Sequence, residues 1–164
     1  MASPPRVRPL TDGERGLAAE VFGAGIDPAP VRLLATGLSS RVFVAGRWGG
    51  WDWMVYPRRR WRPDFADASV PVGETATFVH ELTHVWQSQH GVNLALAKLR
   101  AGDSAAAYAH PTFEGCDFAR LTIEQQAVLV EHAFLLSRGL RRAGGWEAAD
   151  YGAVLPFDSF RSRA

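Results

Sequence analysis

The chain has 164 residues, of which 47% are hydrophobic and 21% are charged, and this composition is typical of a globular domain with its own core. The formal net charge of +1 gives no overall attraction to nucleic acid or to an anionic membrane. The single cysteine, Cys116, excludes an intramolecular disulfide and a zinc cluster built from cysteines.

The first third of the sequence predicts a disordered lead, a short helix and a small sheet. Residues 1–9 contain three prolines and no apolar run, so we expect them to be disordered. Thr11 followed by Glu14 is typical of a helix that begins with a capping box, and the glycines at 23 and 25 end this helix. Short runs rich in branched and aromatic residues predict a mixed or antiparallel sheet, with strands at residues 31–35, 41–45 and 51–56.

The rest of the chain predicts two long helices joined by loops. Residues 57–73 are rich in proline and arginine and predict a loop, with a further edge strand near residues 65–70. Apolar residues recur at helical spacing from Glu74 to about His90, and Ala95–Arg100 could continue as a short helix. The second long helix is predicted to run from Thr122 to about Leu140, with Thr122 as its N-cap.

The most informative segment is the pentapeptide from His80 to His84, which reads His-Glu-Leu-Thr-His. Histidines four positions apart on a helix differ by about 40° in direction and about 6 Å in rise, so both rings can reach one ion. Glu81 lies where its carboxylate can approach a water on that ion without binding the ion. This is the HExxH spacing of zinc hydrolases, so we predict His80 and His84 as zinc ligands and Glu81 as the catalytic carboxylate.

Two histidines leave a zinc site one protein ligand short. Glu124 is the best candidate, because it falls in the first turn of the second long helix, which can pack antiparallel against the first. Ala127, one turn later, is small enough to let the two helices approach closely. A simpler explanation of Glu124 is that acidic residues are common in the first turn of a helix, where the helix dipole favours a negative charge. Other side chains keep the choice of ligand open; they are Glu131, His132, His110, Glu114 and Cys116.

Two strings of this sequence resemble a group of small bacterial zincin-like proteins. They are His80-Glu-Leu-Thr-His-Val-Trp-Gln87 and Leu121-Thr-Ile-Glu-Gln-Gln-Ala127, and the opening Leu10-Thr-Asp-Gly-Glu14 followed by Val21-Phe22-Gly23 is also similar. Members of this group are labelled Rhs- or Vgr-related and are associated with type VI secretion. The resemblance covers about residues 10–135. It implies a minimal gluzincin-type fold with two histidines and one glutamate as zinc ligands, which supports Glu124.

The motif defines a hydrolytic mechanism once zinc is bound. Zinc lowers the pKa of a bound water to about 7, and Glu81 would accept the proton of that water during attack on a carbonyl group. The resulting oxyanion needs a second donor, for which Tyr108 and His110 are candidates, although local packing is the simpler expectation for both. Trp86 is expected in the core, and Gln87 could support a ligand from behind.

Two further patterns, one of arginines and one of tryptophans, each have a structural and a functional interpretation. The arginines at 58–62 could form a nucleic-acid patch, but a solvated rim is the simpler interpretation, so we predict no nucleic-acid partner. Trp48, Trp51 and Trp53 would make one face of the sheet aromatic. We expect them to pack in the core, with a peptide-binding edge beside the metal as the alternative.

Together these features predict an α+β fold in which a small mixed or antiparallel sheet packs on the HExxH helix and a second long helix closes the site. The predicted divisions are a disordered lead at 1–9, a zincin-like metal-binding domain at 10–143 and a C-terminal tail at 144–164. The predicted function is that of a zinc-dependent hydrolase, in the first place a metallopeptidase that acts on peptide or protein. A non-catalytic zincin-fold module that binds a secretion-system protein and a secreted zinc-hydrolase effector are the alternatives.

The location of the protein is predicted from what the sequence lacks. The chain contains no apolar run long enough for a transmembrane helix, and the N-terminal residues have no apolar core of a signal peptide. We therefore expect a cytoplasmic protein without a membrane partner, and signal-independent export stays open as an alternative.

Overall fold

In a computed structural model of the chain, residues 6–102, 104–142 and 144–161 are described. These ranges form a four-stranded sheet and six helices, joined by short 3-10 turns and loops. The strands are β1 (Arg6–Pro9), β2 (Val31–Thr36), β3 (Phe43–Trp48) and β4 (Trp51–Pro57). The helices are α1 (Asp12–Phe22), α2 (Val72–Gln89), α3 (Leu94–Ala101), α4 (Ile123–Ser137), α5 (Ala148–Val154) and α6 (Asp158–Arg161).

The sheet is mixed, with the strand order β1-β2-β4-β3. The central pair β2 and β4 is parallel, whereas β1 and β3 pair with them in antiparallel fashion. The turn between β3 and β4 consists of Gly49 and Gly50, with φ values of 60° and 83°. Positive φ at both central residues is what a tight hairpin turn needs and what glycine permits. The prediction of a small mixed or antiparallel sheet is therefore confirmed.

Strand β1 corrects the prediction of a disordered lead. Arg6–Pro9 pairs with β2, so the prediction is wrong for residues 6–9, while residues 1–5 lie outside the described part of the chain. The guanidinium group of Arg8 donates hydrogen bonds of 2.6 and 2.7 Å to the carboxylate of Glu14, which is fully buried at the start of α1. The strand forms because it pairs with β2, a segment distant in sequence that the local pattern does not reveal.

The edge strand expected near residues 65–70 does not form, and the described chain makes turns there instead. The carboxylate of Asp64 accepts a hydrogen bond from the backbone N–H of Ala66, and Asp67 does the same for Ser69, each at 2.8 Å. Aspartate side chains that bond the backbone two residues ahead favour turns over strands.

The three tryptophans of the β3–β4 hairpin do not pack in the core as expected. Trp48 is 78% exposed and Trp51 is 40% exposed, and the two residues pair with each other at the turn end of the hairpin. The guanidinium carbon of Arg32 lies 3.7 Å from the ring centroid of Trp51, and the indole N–H of Trp53 bonds the carbonyl of Trp48 at 3.1 Å. The expectation of core packing is wrong for these side chains.

Helices α2 and α4 form the centre of the domain and pack against each other, and α2 also contacts β3 and β4. The two predicted capping boxes are present, with Thr11 and Glu14 at α1 and Thr122 and Gln125 at α4. The apolar face of α2, which includes Phe78, is buried in the core. These helices match the prediction to within three residues at each end, and they position the candidate site.

The C-terminal segment that was expected to be a tail contributes to the core. It forms α5 and α6, and its buried side chains are Trp146, Tyr151, Leu155, Phe157 and Phe160. The ring of Phe157 meets the ring of Phe22 edge-on at 5.0 Å. The helices have seven and four residues, too few for their periodicity to be detected in the sequence. The predicted boundary at residue 143 falls outside the described residues.

The arginines at 58–62 bind neighbouring parts of the fold. Arg62 donates to the carboxylate of Glu74 at 2.8 Å, and Arg60 lies 3.3 Å from the hydroxyl of Thr77, both on α2. None of the helices that the structure describes combines the length and the apolar character needed to cross a membrane.

Candidate metal centre

The structure brings together the two histidines of the motif and the predicted third ligand. The Nε2 atom of His80 lies 3.3 Å from Oε2 of Glu124, and the Nε2 atom of His84 lies 3.2 Å from the same oxygen. One ligand atom from each of the three residues falls within 4.8 Å of the others. His84 and Glu124 are buried, while His80 is half-buried and forms the accessible side of the group.

The packing of α2 against α4 explains this convergence. Contacts run in opposite order along the two helices, since Gln87 reaches Ile123 whereas His80 reaches Glu131, as antiparallel packing requires. The capping box of Thr122 fixes the first turn of α4, which carries Glu124. Ala127 is fully buried, and its small side chain lets the helices approach.

The other side chains that the sequence left open as third ligands lie elsewhere. Glu131 faces the second nitrogen of His80, with 3.0 Å between Oε2 and Nδ1. The rings of His110 and His132 stack on each other at 4.9 Å. Within the described ranges, the group that could hold a metal includes none of these residues, nor Glu114 or Cys116.

The chemistry of this set of atoms fits a divalent cation. The Nδ1 atoms of His80 and His84 face oxygens of Glu131 and Gln87, at 3.0 and 2.8 Å. A neutral imidazole that donates from Nδ1 presents a lone pair at Nε2. Two such lone pairs and a carboxylate oxygen therefore converge, and converging acceptors need a shared proton or a shared metal ion between them. Two histidine nitrogens and one carboxylate are a ligand set that zinc commonly takes.

The electrostatics of the site also favour a cation. Burial alone would lower the pKa of His80, but its hydrogen bonds to Glu124 and Glu131 and the charge of Glu81 raise this pKa to about 10. Burial would raise the pKa of Glu124, but the two histidines and Lys98 hold it well below its usual range. Protons and a metal ion therefore compete for the same lone pairs.

Glu81 is almost fully buried, at 6% exposure, beside the metal-binding group. Its Oε2 atom is buried and accepts no hydrogen bond from the residues that the structure describes. Its charge raises the pKa of His80, and it adds to the effect of burial in raising the pKa of Tyr56. A buried carboxylate oxygen without a partner is costly, and such groups often have a chemical role.

The two candidate oxyanion donors differ in their surroundings. His110 has both ring nitrogens engaged, with the carbonyl of Pro111 at 2.9 Å and the hydroxyl of Tyr151 at 3.0 Å. Burial lowers the pKa of His110. Local packing is therefore the observed role of His110. Tyr108 lies at the end of a 3-10 turn and is 39% exposed.

Sequence reasoning placed Gln87 behind a predicted ligand, and in the structure it contacts His84. The sequence offered Glu131 only as a third ligand and not as the partner of His80, and it did not indicate Lys98. Glu131 lies two helical turns after Glu124, a spacing that places both on one face of α4 and could have indicated its contact with His80. Lys98 on α3 places its Nζ atom 3.6 Å from Oε1 of Glu124. No local pattern indicates this contact, because it depends on how α3 packs against α4.

No model of a known protein family matches the chain. Over 143 residues the chain is 34% identical to the type VI secretion system spike protein VgrG2b of Pseudomonas aeruginosa. This match covers 78% of the chain, and the chain spans only 13% of the length of the spike protein.

A solved structure is similar to the chain as well. It is the effector domain of Pseudomonas aeruginosa VgrG2b, with a TM-score of 0.64 and 31% sequence identity over 80% of this chain and 75% of that domain. The sequence match and the structural match both extend over most of this chain, and the structural match also covers most of the effector domain. The chain therefore belongs to the family of the VgrG2b effector domain.

Proposed function

We propose that this chain is a zinc-dependent hydrolase, in the first place a metallopeptidase, that acts as an effector of a type VI secretion system. The observation that carries the chemical part is the convergence of His80, His84 and Glu124 beside the buried carboxylate of Glu81. The likeness to an effector domain of a secretion spike protein supports the biological part.

The residues of the site divide into ligands and a base. His80 and His84 would hold the ion through Nε2, and Glu124 through its carboxylate. Bound zinc would supply a water of lowered pKa and would polarise the carbonyl group of a substrate. Glu81 would take the proton from the attacking water and deliver it to the leaving amine.

The position of the sheet supports a peptide as the substrate. Strand β3 is an edge strand of the described sheet, and it packs against α2, the helix that carries the motif. An edge strand offers backbone donors and acceptors to an extended peptide, which could add to the sheet beside the helix that carries the motif. This observation favours a peptidase over hydrolases of other substrates.

The chemical part is tested by comparing wild type with Glu81→Gln, His84→Ala and Glu124→Ala. We expect about one zinc per chain in wild type and in Glu81→Gln, and a large loss of zinc in the two ligand variants. Because Glu81→Gln removes only the base, it should lower the rate of peptide cleavage by about 10²- to 10⁴-fold. Mass-spectrometric analysis of products from a broad peptide pool measures the cleavage. Wild type without zinc would contradict the proposal.

The biological part is tested by producing wild type and Glu81→Gln in a bacterial host. An effector that acts through hydrolysis should slow growth only with an intact Glu81. Equal growth of both strains at equal protein levels would argue against a toxic effector. A partner that both forms capture equally well, with no cleavage by either, would favour a non-catalytic assembly module.

A further inference from the structure

We propose that Gln87 is a positioning residue that, together with Gln126, fixes the ring of His84 and ties it to the turn of α4 that carries Glu124. This inference rests on the proposed zinc site. It concerns how the site is held in shape.

The side-chain amide of Gln87 is buried between the two ligand-bearing helices, with the residue 1% exposed. Its Oε1 atom lies 2.8 Å from Nδ1 of His84. Its Nε2 atom donates to the backbone carbonyl of Ile123 at 3.0 Å and to Oε1 of Gln126 at 2.8 Å. The amide of Gln126 in turn donates to the carbonyl of Phe118 at 2.8 Å.

The two backbone carbonyls determine the direction of this chain of hydrogen bonds. A carbonyl oxygen only accepts, so the nitrogen of Gln87 must face Ile123 and the nitrogen of Gln126 must face Phe118. The oxygen of Gln87 is then left for His84, and Nδ1 of His84 must donate the hydrogen. The lone pair of the neutral ring therefore lies at Nε2, the atom that faces Glu124.

The same amide positions parts of two ligands at once. Ile123 directly precedes Glu124 in the first turn of α4, so Gln87 holds the ring of one ligand and the backbone next to another. Glutamate could not replace it, because a carboxylate accepts from His84 but has no hydrogens for Ile123 and Gln126. The two histidines thus have different partners, since His80 faces the carboxylate of Glu131 and His84 faces a neutral amide.

The test measures zinc affinity by competition with a chelator. Gln87→Met keeps the length of the side chain but removes its polar contacts, and loss of such a partner weakens metal binding by about 10- to 100-fold. Gln87→Glu should also weaken binding, because its second oxygen would face the carbonyl of Ile123. The visible spectrum of the Co²⁺-loaded protein should change in both variants, since it reports the geometry around the metal.

Gln89→Met is the matched control. Gln89 lies two residues later on α2 and makes three hydrogen bonds of 2.8 Å, two to the backbone of Asp27 and one to the carboxylate of Asp52. These contacts lie away from the metal-binding group. The control should lower the melting temperature of the metal-free protein while leaving zinc affinity within about twofold, a shift well below the loss expected for a partner of a ligand.

The double variant Gln87→Met/Gln126→Met should bind zinc no more weakly than Gln87→Met, because Gln126 acts through Gln87. If Gln87→Met does not fold, Gln126→Met replaces it, and this variant should weaken zinc binding while Gln89→Met does not. Equal zinc affinity of wild type and a folded Gln87→Met, or equal losses in Gln87→Met and Gln89→Met, would overturn the inference. Wild type that binds no zinc would overturn the proposed function and this inference with it.

Discussion

At the scale of single residues, the site depends on which nitrogen of each histidine carries a hydrogen. Glu131 and Gln87 receive the Nδ1 hydrogens, so that both Nε2 atoms are directed to Glu124. The motif alone predicts that the two histidines can bind one ion, because residues four positions apart lie on the same face of a helix. Neither Glu131 nor Gln126 is predicted as a partner by the motif, since each contact depends on how α4 packs on α2.

Removal of the charge of Glu131 tests its contact with His80. Glu131→Gln can keep a hydrogen bond to Nδ1 but removes the negative charge that helps to raise the pKa of His80. We expect the pKa of His80 to fall in the metal-free protein and zinc to bind about tenfold more weakly. NMR titration of the ring and chelator competition measure the two effects. An unchanged pKa of His80 would show that the contact does not hold in solution.

The raised pKa of His80 also predicts how stability depends on pH. A histidine whose pKa is raised to about 10 by folding binds its proton more tightly in the folded state than in the unfolded state. The stability that His80 contributes is fully present below about pH 6.5, the pKa of an unperturbed histidine. It is lost as the pH rises through about 10.

Urea unfolding of the metal-free protein at several pH values measures this effect. The free energy of unfolding should decrease between pH 7 and 10 in wild type and decrease less in Glu131→Gln. Zinc affinity should increase over the same range, because zinc and the proton compete for the same ring nitrogen. Identical pH profiles of the two proteins would contradict the assignment to His80.

At the scale of elements, the sequence predicts best what local contacts determine. Helices α2 and α4 follow from periodicity and from a capping box, both of which lie within a few residues. Strand β1 and helices α5 and α6 were missed because partners distant in sequence hold them, namely β2 for β1, α4 for α5 and α1 for α6. Glu124 could be predicted because a capped turn and the small residue Ala127 point to the same packing of two helices.

The N-cap of α4 should matter for metal binding as well as for stability. Thr122→Ala removes the hydroxyl that accepts the backbone N–H of Gln125, and loss of an N-cap costs about 1 kcal/mol of stability. Because Glu124 lies in that first turn, we expect weaker zinc binding too. Thr11→Ala breaks the same kind of capping box at α1. It should cost similar stability and leave zinc affinity unchanged, so equal zinc affinity in both variants would contradict the role of the turn.

At the scale of the whole molecule, the metal-binding group lies between α2 and α4, and α2 also packs against the sheet and, through Trp86, against the C-terminal segment. Phe157 contacts the ring of Phe22 on α1 and the ring of Trp86 on α2, at 5.0 and 5.2 Å. The core thus joins the first helix, the motif helix and the end of the described chain. This arrangement could not be predicted from the sequence, because no local periodicity marks residues 144–161 as part of the core.

Truncation of the buried ring of Phe157 tests whether the C-terminal segment is part of the core. Phe157→Ala should lower the free energy of unfolding by about 3–5 kcal/mol, as expected for loss of a buried aromatic side chain. Leu99→Ala, at a site that is 81% exposed, should change it by less than about 0.5 kcal/mol. Thermal or urea unfolding of the two variants measures the difference. A Phe157→Ala variant as stable as wild type would show that the segment is a tail.

The most direct measurement is anomalous scattering at the zinc absorption edge from crystals of the wild-type chain grown with equimolar zinc. We predict one strong peak that lies about 2.0–2.2 Å from Nε2 of His80, from Nε2 of His84 and from the carboxylate of Glu124. A peak bound by other residues, or a Glu124 carboxylate turned away from the two imidazoles with no ion between them, would contradict the account.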